Sequence, residues 1–250
     1  MVFTSARCIR YGFGDDHRPR REIAPRARHS AMPGIFSTRK AARGWLRTSS
    51  PLMMDGLVHP ETDPRWIRLA DYPFRVGGWL RRRDGSHAPF RHVPDVGVID
   101  GNGAIVYIDY VPVAIQRERA DFDARVEALR ELYREDHGIS YVVHDERHIY
   151  AEPRFSNLRI MRGNRLDDVD PNVTTAVRVA VLQVSLPATI EAIAQASRRP
   201  GADGESPGAM GRVLSVILGL ALIGELEIDL TQPLSGRTKV FECRTAKIGG

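Results

Sequence analysis

The sequence predicts an α/β protein, in which a mixed sheet with flanking helices is followed by a small helical domain with a two-stranded wing. Two β-rich runs, VGVID (96–100) and AIVYIDYV (104–111), are separated by Gly-Asn-Gly, a strong hairpin pattern. An amphipathic segment and another β-rich run follow them, and this order is typical of a crossover unit between parallel strands. Beyond residue 170, three helical segments precede two short β-rich runs.

The composition is that of a soluble globular protein, with 250 residues of which 42% are hydrophobic and 27% charged. A net charge of +5 permits a polyanionic partner such as DNA but does not require one. Cys8 and Cys243 lie far apart, which argues against a disulfide scaffold or a zinc module and predicts a cytoplasmic location. The most apolar run, 213–224, is shorter than the ~20 residues of a membrane span, so no membrane partner is expected.

The first predicted element is a flexible basic arm over residues 1–31, which are rich in Arg, His, Pro and Gly and show little apolar periodicity. Such an arm could lie along phosphates or have no partner at all. Order is expected to begin near Ile35. The segment 65–85 alternates apolar and polar residues and ends in Asp-Gly, a hairpin signal. The arginines that precede this turn, and that could contact phosphates, are Arg81, Arg82 and Arg83.

A helix is predicted over residues 117–138, because apolar side chains recur there at helical spacing and Gly138 can end the helix in the left-handed conformation. The side chains on its apolar face are Phe122, Val126, Leu129 and Leu132 or Tyr133. A strand at 140–145 follows, so residues 65–150 are interpreted as a mixed sheet carrying helices.

The C-terminal part is predicted to contain helices at 174–185, 187–197 and 209–224, with a proline opening the second and Gly224 closing the third. Two short strands follow, at 225–230 and 237–242. This order is the pattern of a winged helix. The third helix is nearly all apolar, with Arg212 as its one charged residue. We therefore predict that it is buried and that this region binds a protein, and not that the helix recognises bases in the DNA major groove.

Asp95 and Asp109 carry the clearest chemical signal, because they lie on the two strands of the predicted hairpin. A Mg²⁺ nuclease needs carboxylates that converge on one ion. A lysine two residues after the second carboxylate shares its face of the strand and can orient the attacking water. In this sequence that position is Val111. On spacing alone, a plain β-hairpin with two surface aspartates is the alternative interpretation.

Several segments, taken in order, resemble the TnsA family of endonucleases, which cut the 5′ ends of certain transposons. They are GIFSTRKAARGW (34–45), SSPLMMDGL (49–57), DYPFRV (71–76), VPDVGVIDGNGAIVYIDYVP (93–112), YVVHDERHIYAEPRFSNLRIM (141–161) and ELEIDLTQPLSGRTKV (225–240). The resemblance implies a restriction-endonuclease-like domain over 35–160 and a winged-helix-like domain over 170–245. It also implies Mg²⁺ as the cofactor, transposon-end DNA as the substrate, and a transposase and an AAA+ ATPase regulator as partners. Lys40, in the first segment, is an expected DNA contact.

The family's catalytic positions are only partly kept in this sequence. Its strand aspartate is Asp95, and its second acidic position is Asp109. Its helix glutamate falls on Met53 and its lysine falls on Val111, and neither side chain can replace the chemistry that is lost. The resemblance therefore implies an impaired or lost nuclease site, which binds either Mg²⁺ or no metal.

Two other interpretations stay open at this stage. An active nuclease could use relocated groups, with Asp55 or Glu61 for the glutamate and Arg117 or Arg119 for the lysine. Alternatively, the protein could be a non-catalytic accessory protein of a mobile element.

Three histidines are further candidates. His92, three residues before Asp95, could act as an acid or base, or could be a surface residue of an edge strand. His144 and His148 are four residues apart and could bind zinc on a helix. They are expected instead to flank a solvated turn between two strands.

Overall fold

The computed structural model describes residues 5–23, 32–81, 85–166, 169–198 and 209–243, without the side chains of Leu80, Arg81 and Ala209. The chain forms two compact units, one made of Met1–Glu61 with Arg65–Ile149 and the other of Thr62–Pro64 with Tyr150–Gly250. Together they are mixed α/β, as predicted. None of the helices in the described ranges is long and apolar enough to cross a membrane.

The first unit holds eight strands and six helices within the described residues. In chain order they are α1 (Ala6–Arg10), β1 (Gly34–Ser37), β2 (Trp45–Thr48), α2 (Pro51–Gly56), α3 (Val58–Thr62), β3 (Trp66–Asp71), β4 (Val76–Arg81), β5 (His87–His92), β6 (Val96–Asp100), β7 (Ile105–Tyr110), α4 (Val113–Glu118), α5 (Phe122–His137), β8 (Ser140–His144) and α6 (Glu146–Ile149).

A four-stranded mixed sheet, in the order β3-β6-β7-β8, forms the centre of this unit. The predicted hairpin is confirmed: β6 and β7 are antiparallel, with Val96 opposite Ile108 and Ile99 opposite Ile105. The predicted crossover is confirmed as well, because β8 runs parallel to β7 after α4 and α5. The two short antiparallel pairs β1-β2 and β4-β5 form separate ribbons.

Helix α5 forms on the predicted apolar spacing, but it begins at Phe122 and not at residue 117, because α4 ends at Glu118 before it. Val126, Leu129 and Tyr133 are buried along one face, and Gly138 ends the helix in the left-handed conformation with φ 61°. These side chains join Tyr107 of β7 and Tyr141 of β8 in one hydrophobic cluster. The helix therefore covers the sheet beside the strand that carries Asp109.

The prediction of a flexible arm over residues 1–31 is wrong for residues 5–23. Ser5 caps α1 by accepting a hydrogen bond from the Cys8 amide, and Phe13 is fully buried in the cluster under the sheet. The Tyr107 hydroxyl donates a 3.1 Å hydrogen bond to the carbonyl of Tyr11. Few apolar residues lie in this segment, so periodicity misses it, but the ones present fit a site that the distant core provides. Residues 1–4 and 24–31 lie outside the described residues.

The alternating segment 65–85 forms two strands, β3 and β4, which are divided around Tyr72, whose φ is +46°. One further sequence prediction needs correction. The segment after β8 is helix α6, not a turn between two strands. The predicted turn after β4 falls partly on residues 82–84, which lie outside the described residues.

The second unit contains α7 (Arg154–Arg162), α8 (Pro171–Gln183), β9 (Ala188–Thr189), α9 (Ile190–Ala196), α10 (Ala209–Leu222), β10 (Leu226–Ile228) and β11 (Lys239–Glu242). The three helices and two final strands predicted beyond residue 170 are therefore present. The second of those helices starts later than predicted, since Thr189, and not the proline, caps its N-terminus. Two-residue β9 pairs with β11, which makes the small antiparallel sheet three-stranded. In α10, Val216, Ile217 and Leu218 are fully buried, as its apolar sequence predicts.

Candidate functional site

The structure brings the two predicted carboxylates together at the start of the β6-β7 hairpin. Asp95 lies just before β6, and its backbone amide donates a 3.0 Å hydrogen bond to Oδ1 of Asp109 on β7. The Tyr110 amide in turn donates a 3.0 Å hydrogen bond to Oδ2 of Asp95. The side chains of Asp95 and Asp109 are only 13% and 15% exposed. They are therefore not two surface aspartates.

Asp109 is further held by two side chains from neighbouring strands. Its Oδ2 accepts a 2.8 Å hydrogen bond from Nε2 of His92 and a 2.7 Å hydrogen bond from the Tyr141 hydroxyl. Nδ1 of His92 lies 2.9 Å from the Tyr133 hydroxyl, so the chain of contacts continues onto α5. The sequence singled out His92 but not Tyr133 or Tyr141 as parts of the site. The one available signal was the position of Tyr141 on the strand next to β7.

Burial and charge give the two carboxyl groups opposite character. Burial raises the pKa of Asp95 to about 7, the negative charge of Asp109 adds to the rise, and the Tyr110 amide opposes it. Burial also opposes ionisation of Asp109, but the positive charge of His92 and hydrogen bonds from His92 and Tyr141 hold its pKa below the ordinary value. Asp109 is therefore the carboxylate of the pair, and Asp95 is the group that takes up a proton near neutral pH.

A cation from the N-terminal segment lies at the open side of this pair. The Arg21 guanidinium is 3.5 Å from Oδ1 of Asp95 and 5.5 Å from the centre of the Tyr72 ring. Half of the Arg21 side chain is exposed, so its ion pair with Asp95 is screened by water and contributes little to stability. Its position nevertheless supplies positive charge beside Asp95.

The donor set does not fit Mg²⁺. This ion requires near-octahedral oxygen coordination, commonly from one or two carboxylates, substrate and water. Asp109 already accepts three hydrogen bonds, from the Asp95 amide, His92 and Tyr141, which leaves about one of the roughly four lone-pair positions of its carboxylate for an ion. Within the described ranges, no group of three or more His, Cys, Asp or Glu side chains is arranged to hold a metal. The arrangement is that of two adjacent carboxyl groups held by hydrogen bonds from the protein itself.

The positions expected to be glutamate and lysine lie next to the pair and are apolar. Met53 is fully buried on α2, where its Sδ accepts a 3.3 Å hydrogen bond from the Tyr72 hydroxyl. Tyr72 is itself bonded to Asp95, because its amide donates to the Asp95 carbonyl at 3.0 Å. Val111 directly follows β7 and donates its amide to the carbonyl of His144. Neither side chain can bind Mg²⁺ or transfer a proton.

The active-nuclease alternative relies on four side chains in place of the missing glutamate and lysine, and their environments differ from one another. The carboxylate of Glu61 accepts a hydrogen bond from the Thr38 hydroxyl. Arg117 is exposed near the C-terminus of α4, and Arg119 is exposed immediately after it. Asp55 is partly buried on α2, two residues after Met53.

The predicted DNA contacts are only partly described. Nζ of Lys40 donates a 2.9 Å hydrogen bond to the carbonyl of Pro60, so this ammonium group has a partner within the protein. Arg81 belongs to β4, but its side chain, like Arg82 and Arg83, lies outside the described residues.

His144 lies beside this site and is paired with His148. The two rings stack at 5.4 Å between centroids, and Nδ1 of His148 lies 3.0 Å from Oδ1 of Asp145. Burial lowers the pKa of His144 to about 4, and the nearby His148 and His59 add to the effect. His144 is therefore neutral in the folded protein at physiological pH.

The low pKa of His144 predicts that the folded protein loses stability in acid. Because the folded-state pKa of His144 is below the ordinary value of about 6.5, the unfolded chain binds the proton first. The contribution of His144 is fully present above pH 6.5 and is lost as the pH falls toward 4. Urea unfolding at pH 7.0 and 4.5 should show that wild type loses about 2 kcal/mol more than His144→Gln. The exposed His87→Gln variant should follow wild type, and equal losses in all three proteins would contradict the assignment.

No protein-family model matches the sequence, and no curated protein matches it either. The site is therefore defined by its own contacts: a buried carboxyl pair on a β-hairpin, held by a histidine, a tyrosine and backbone amides. The pair is the candidate functional site because it joins the two carboxyl groups that the sequence singles out.

Proposed function

We propose that the protein is a TnsA-like component of a DNA transposition system whose nuclease site no longer cuts DNA at a useful rate, and which acts by binding DNA and partner proteins. This proposal rests on the hydrogen bonds that the Asp109 carboxylate accepts. The carboxylate lies on the hairpin where the family resemblance expects the metal site, yet it is engaged by the Asp95 amide, His92 and Tyr141.

The side chains around the pair support the same conclusion. The glutamate and lysine of the family pattern are replaced by Met53 and Val111. Loss of a positioned acid or base lowers a rate by roughly 10²- to 10⁴-fold. Loss of a metal ligand adds to this, because the ion that would stabilise the leaving oxygen is bound more weakly. The impaired-site proposal is therefore favoured over an active nuclease with relocated ligands.

The architecture agrees with the two domains of the proposal. A mixed sheet with helices is compatible with a restriction-endonuclease-like domain, and three helices with a small antiparallel sheet are compatible with a winged-helix-like one. The net charge of +5 suits a DNA partner. Helix α10 is apolar and buried, so it is poorly suited to contact bases in the DNA major groove. This favours a protein, a transposase or an AAA+ ATPase, as the partner of the C-terminal domain.

The proposal predicts DNA binding without cleavage. Full-length protein incubated with supercoiled plasmid and Mg²⁺ or Mn²⁺ should produce no more nicked product than its Asp95→Ala variant. It should still retard the same DNA at low salt, and the retardation should weaken as salt rises. Metal-dependent nicking that disappears in Asp95→Ala would contradict the proposal and establish the active-nuclease alternative.

A restoration experiment tests the positions assigned to the missing groups. Met53→Glu and Val111→Lys return the family's metal-binding glutamate and its lysine, and Tyr141→Phe releases one hydrogen bond from Asp109. The triple variant, once shown to be folded by circular dichroism, should nick DNA with Mg²⁺ at least about tenfold faster than wild type. Adding Asp95→Ala should abolish the gain. A folded triple variant without any gain means that Met53 and Val111 do not occupy the catalytic positions.

A further inference from the structure

The β4-β5 ribbon has one covered face and one open face. Side chains alternate along both strands, and Trp79 lies opposite Pro89 while Gly77 lies opposite Arg91. On the covered face, Phe90 packs beneath the Arg125 guanidinium of α5, which is 5.6 Å from the ring centre. On the other face, every described side chain is exposed. Those residues are Gly77, Trp79, His87, Pro89 and Arg91.

Trp79 is the dominant feature of this open face. Its side chain is 69% exposed, although an indole is among the largest apolar groups a protein can bury. Gly77 and Pro89 beside it present little bulk, and together with Arg91 they line a shallow open hollow next to the ring. The face of the indole is thus accessible to a flat ligand.

The charge of the ribbon indicates what kind of ligand would fit. Neither β4 nor β5 contains an acidic residue, and the sequence places Arg91 on one strand and Arg81 on the other. Arg91 is exposed and has no hydrogen bond or ion pair to another side chain in the described ranges. An aromatic platform beside an exposed arginine is complementary to a nucleobase with a neighbouring phosphate.

We propose that the open face of the β4-β5 ribbon binds single-stranded DNA, with a base stacked on Trp79 and a neighbouring phosphate bound by Arg91. The bases of an intact duplex stack on each other, so the indole requires an unpaired base. This inference rests on the DNA-binding function proposed above and adds the form of DNA recognised: an unpaired segment, such as a strand end or a gap.

Fluorescence anisotropy of the full chain with a labelled 15-nucleotide poly-dT strand and with a duplex of equal length tests the proposal. Trp79→Ala should weaken single-strand binding by about 5- to 100-fold, the usual range for one stacked base. Trp79→Phe, which keeps an aromatic face, should retain most of the affinity. Arg91→Ala should weaken binding and reduce its salt dependence, because one phosphate contact is lost. Duplex binding should change less than twofold in both Trp79 variants.

Leu182→Ala provides the control, because Leu182 is an exposed apolar residue of the second unit and its variant should bind as wild type does. Since Trp79 is exposed, thermal unfolding of Trp79→Ala should match wild type and exclude misfolding as a cause. Single-strand binding that is unaffected by Trp79→Ala overturns this inference alone, as does an equal loss for both forms of DNA. If wild type binds neither form of DNA at low salt, the proposed function fails together with the inference.

Discussion

Replacing Asp109 with alanine is expected to lower the free energy of unfolding by about 3–5 kcal/mol at pH 7. The variant leaves three donors without their acceptor: the Asp95 amide, Nε2 of His92 and the Tyr141 hydroxyl. All three belong to buried residues, so water replaces the lost carboxylate only in part. Relief of the repulsion between Asp109 and Asp95 offsets part of this loss. Urea denaturation followed by circular dichroism measures the difference.

The control for this experiment is Asp123→Ala, which removes an exposed carboxylate from the first turn of α5. It should change stability by less than about 0.5 kcal/mol. A double-mutant cycle between Asp109→Ala and Tyr141→Phe should show a coupling energy of about 1–2 kcal/mol. A loss below about 1 kcal/mol for Asp109→Ala, with no coupling to Tyr141, would mean that this network does not form.

The second large effect is expected at Phe13, which lies in the segment that composition alone marks as a flexible arm. Its side chain is fully buried, and Phe13→Ala should destabilise the protein by about 3–5 kcal/mol through lost burial and the cavity left behind. Ile9→Ala, in the same segment but at a side chain that is 51% exposed, is the matched control and should have little effect. Similar small effects for both variants would restore the flexible-arm interpretation.

The N-terminal segment also contributes a charged side chain to the surroundings of the carboxyl pair. Phe13 anchors the stretch that ends with Arg21, and Arg21 supplies positive charge beside Asp95. A family-type site would have a metal ion and a lysine as its positive charges. Here, in the described part of the chain, His92 and Arg21 lie against the two carboxyl groups, at 2.8 Å from Asp109 and 3.5 Å from Asp95. Arg21 therefore links the N-terminal segment to the carboxyl pair.

The sequence by itself determined the elements that depend on local patterns. The β6-β7 hairpin follows from β-branched runs around a glycine turn, and α5 follows from apolar spacing closed by Gly138. The order of helices and strands beyond residue 170 follows from the same periodicities. In each case the residues that decide the structure are close together in the chain, so a short window contains the information.

Only the tertiary structure decided what surrounds the hairpin. His92, Tyr141 and Arg21 reach the two aspartates from β5, β8 and the N-terminal segment, at separations of 17 residues for His92–Asp109, 32 for Tyr141–Asp109 and 74 for Arg21–Asp95. No local pattern encodes such contacts, because their energy comes from burial and hydrogen bonding between segments that meet only when the core forms. For the same physical reason, Phe13 is a core residue inside a segment with a disordered composition. The sequence thus located the two carboxylates, and the fold determined that they are buried, bonded and unequal in pKa.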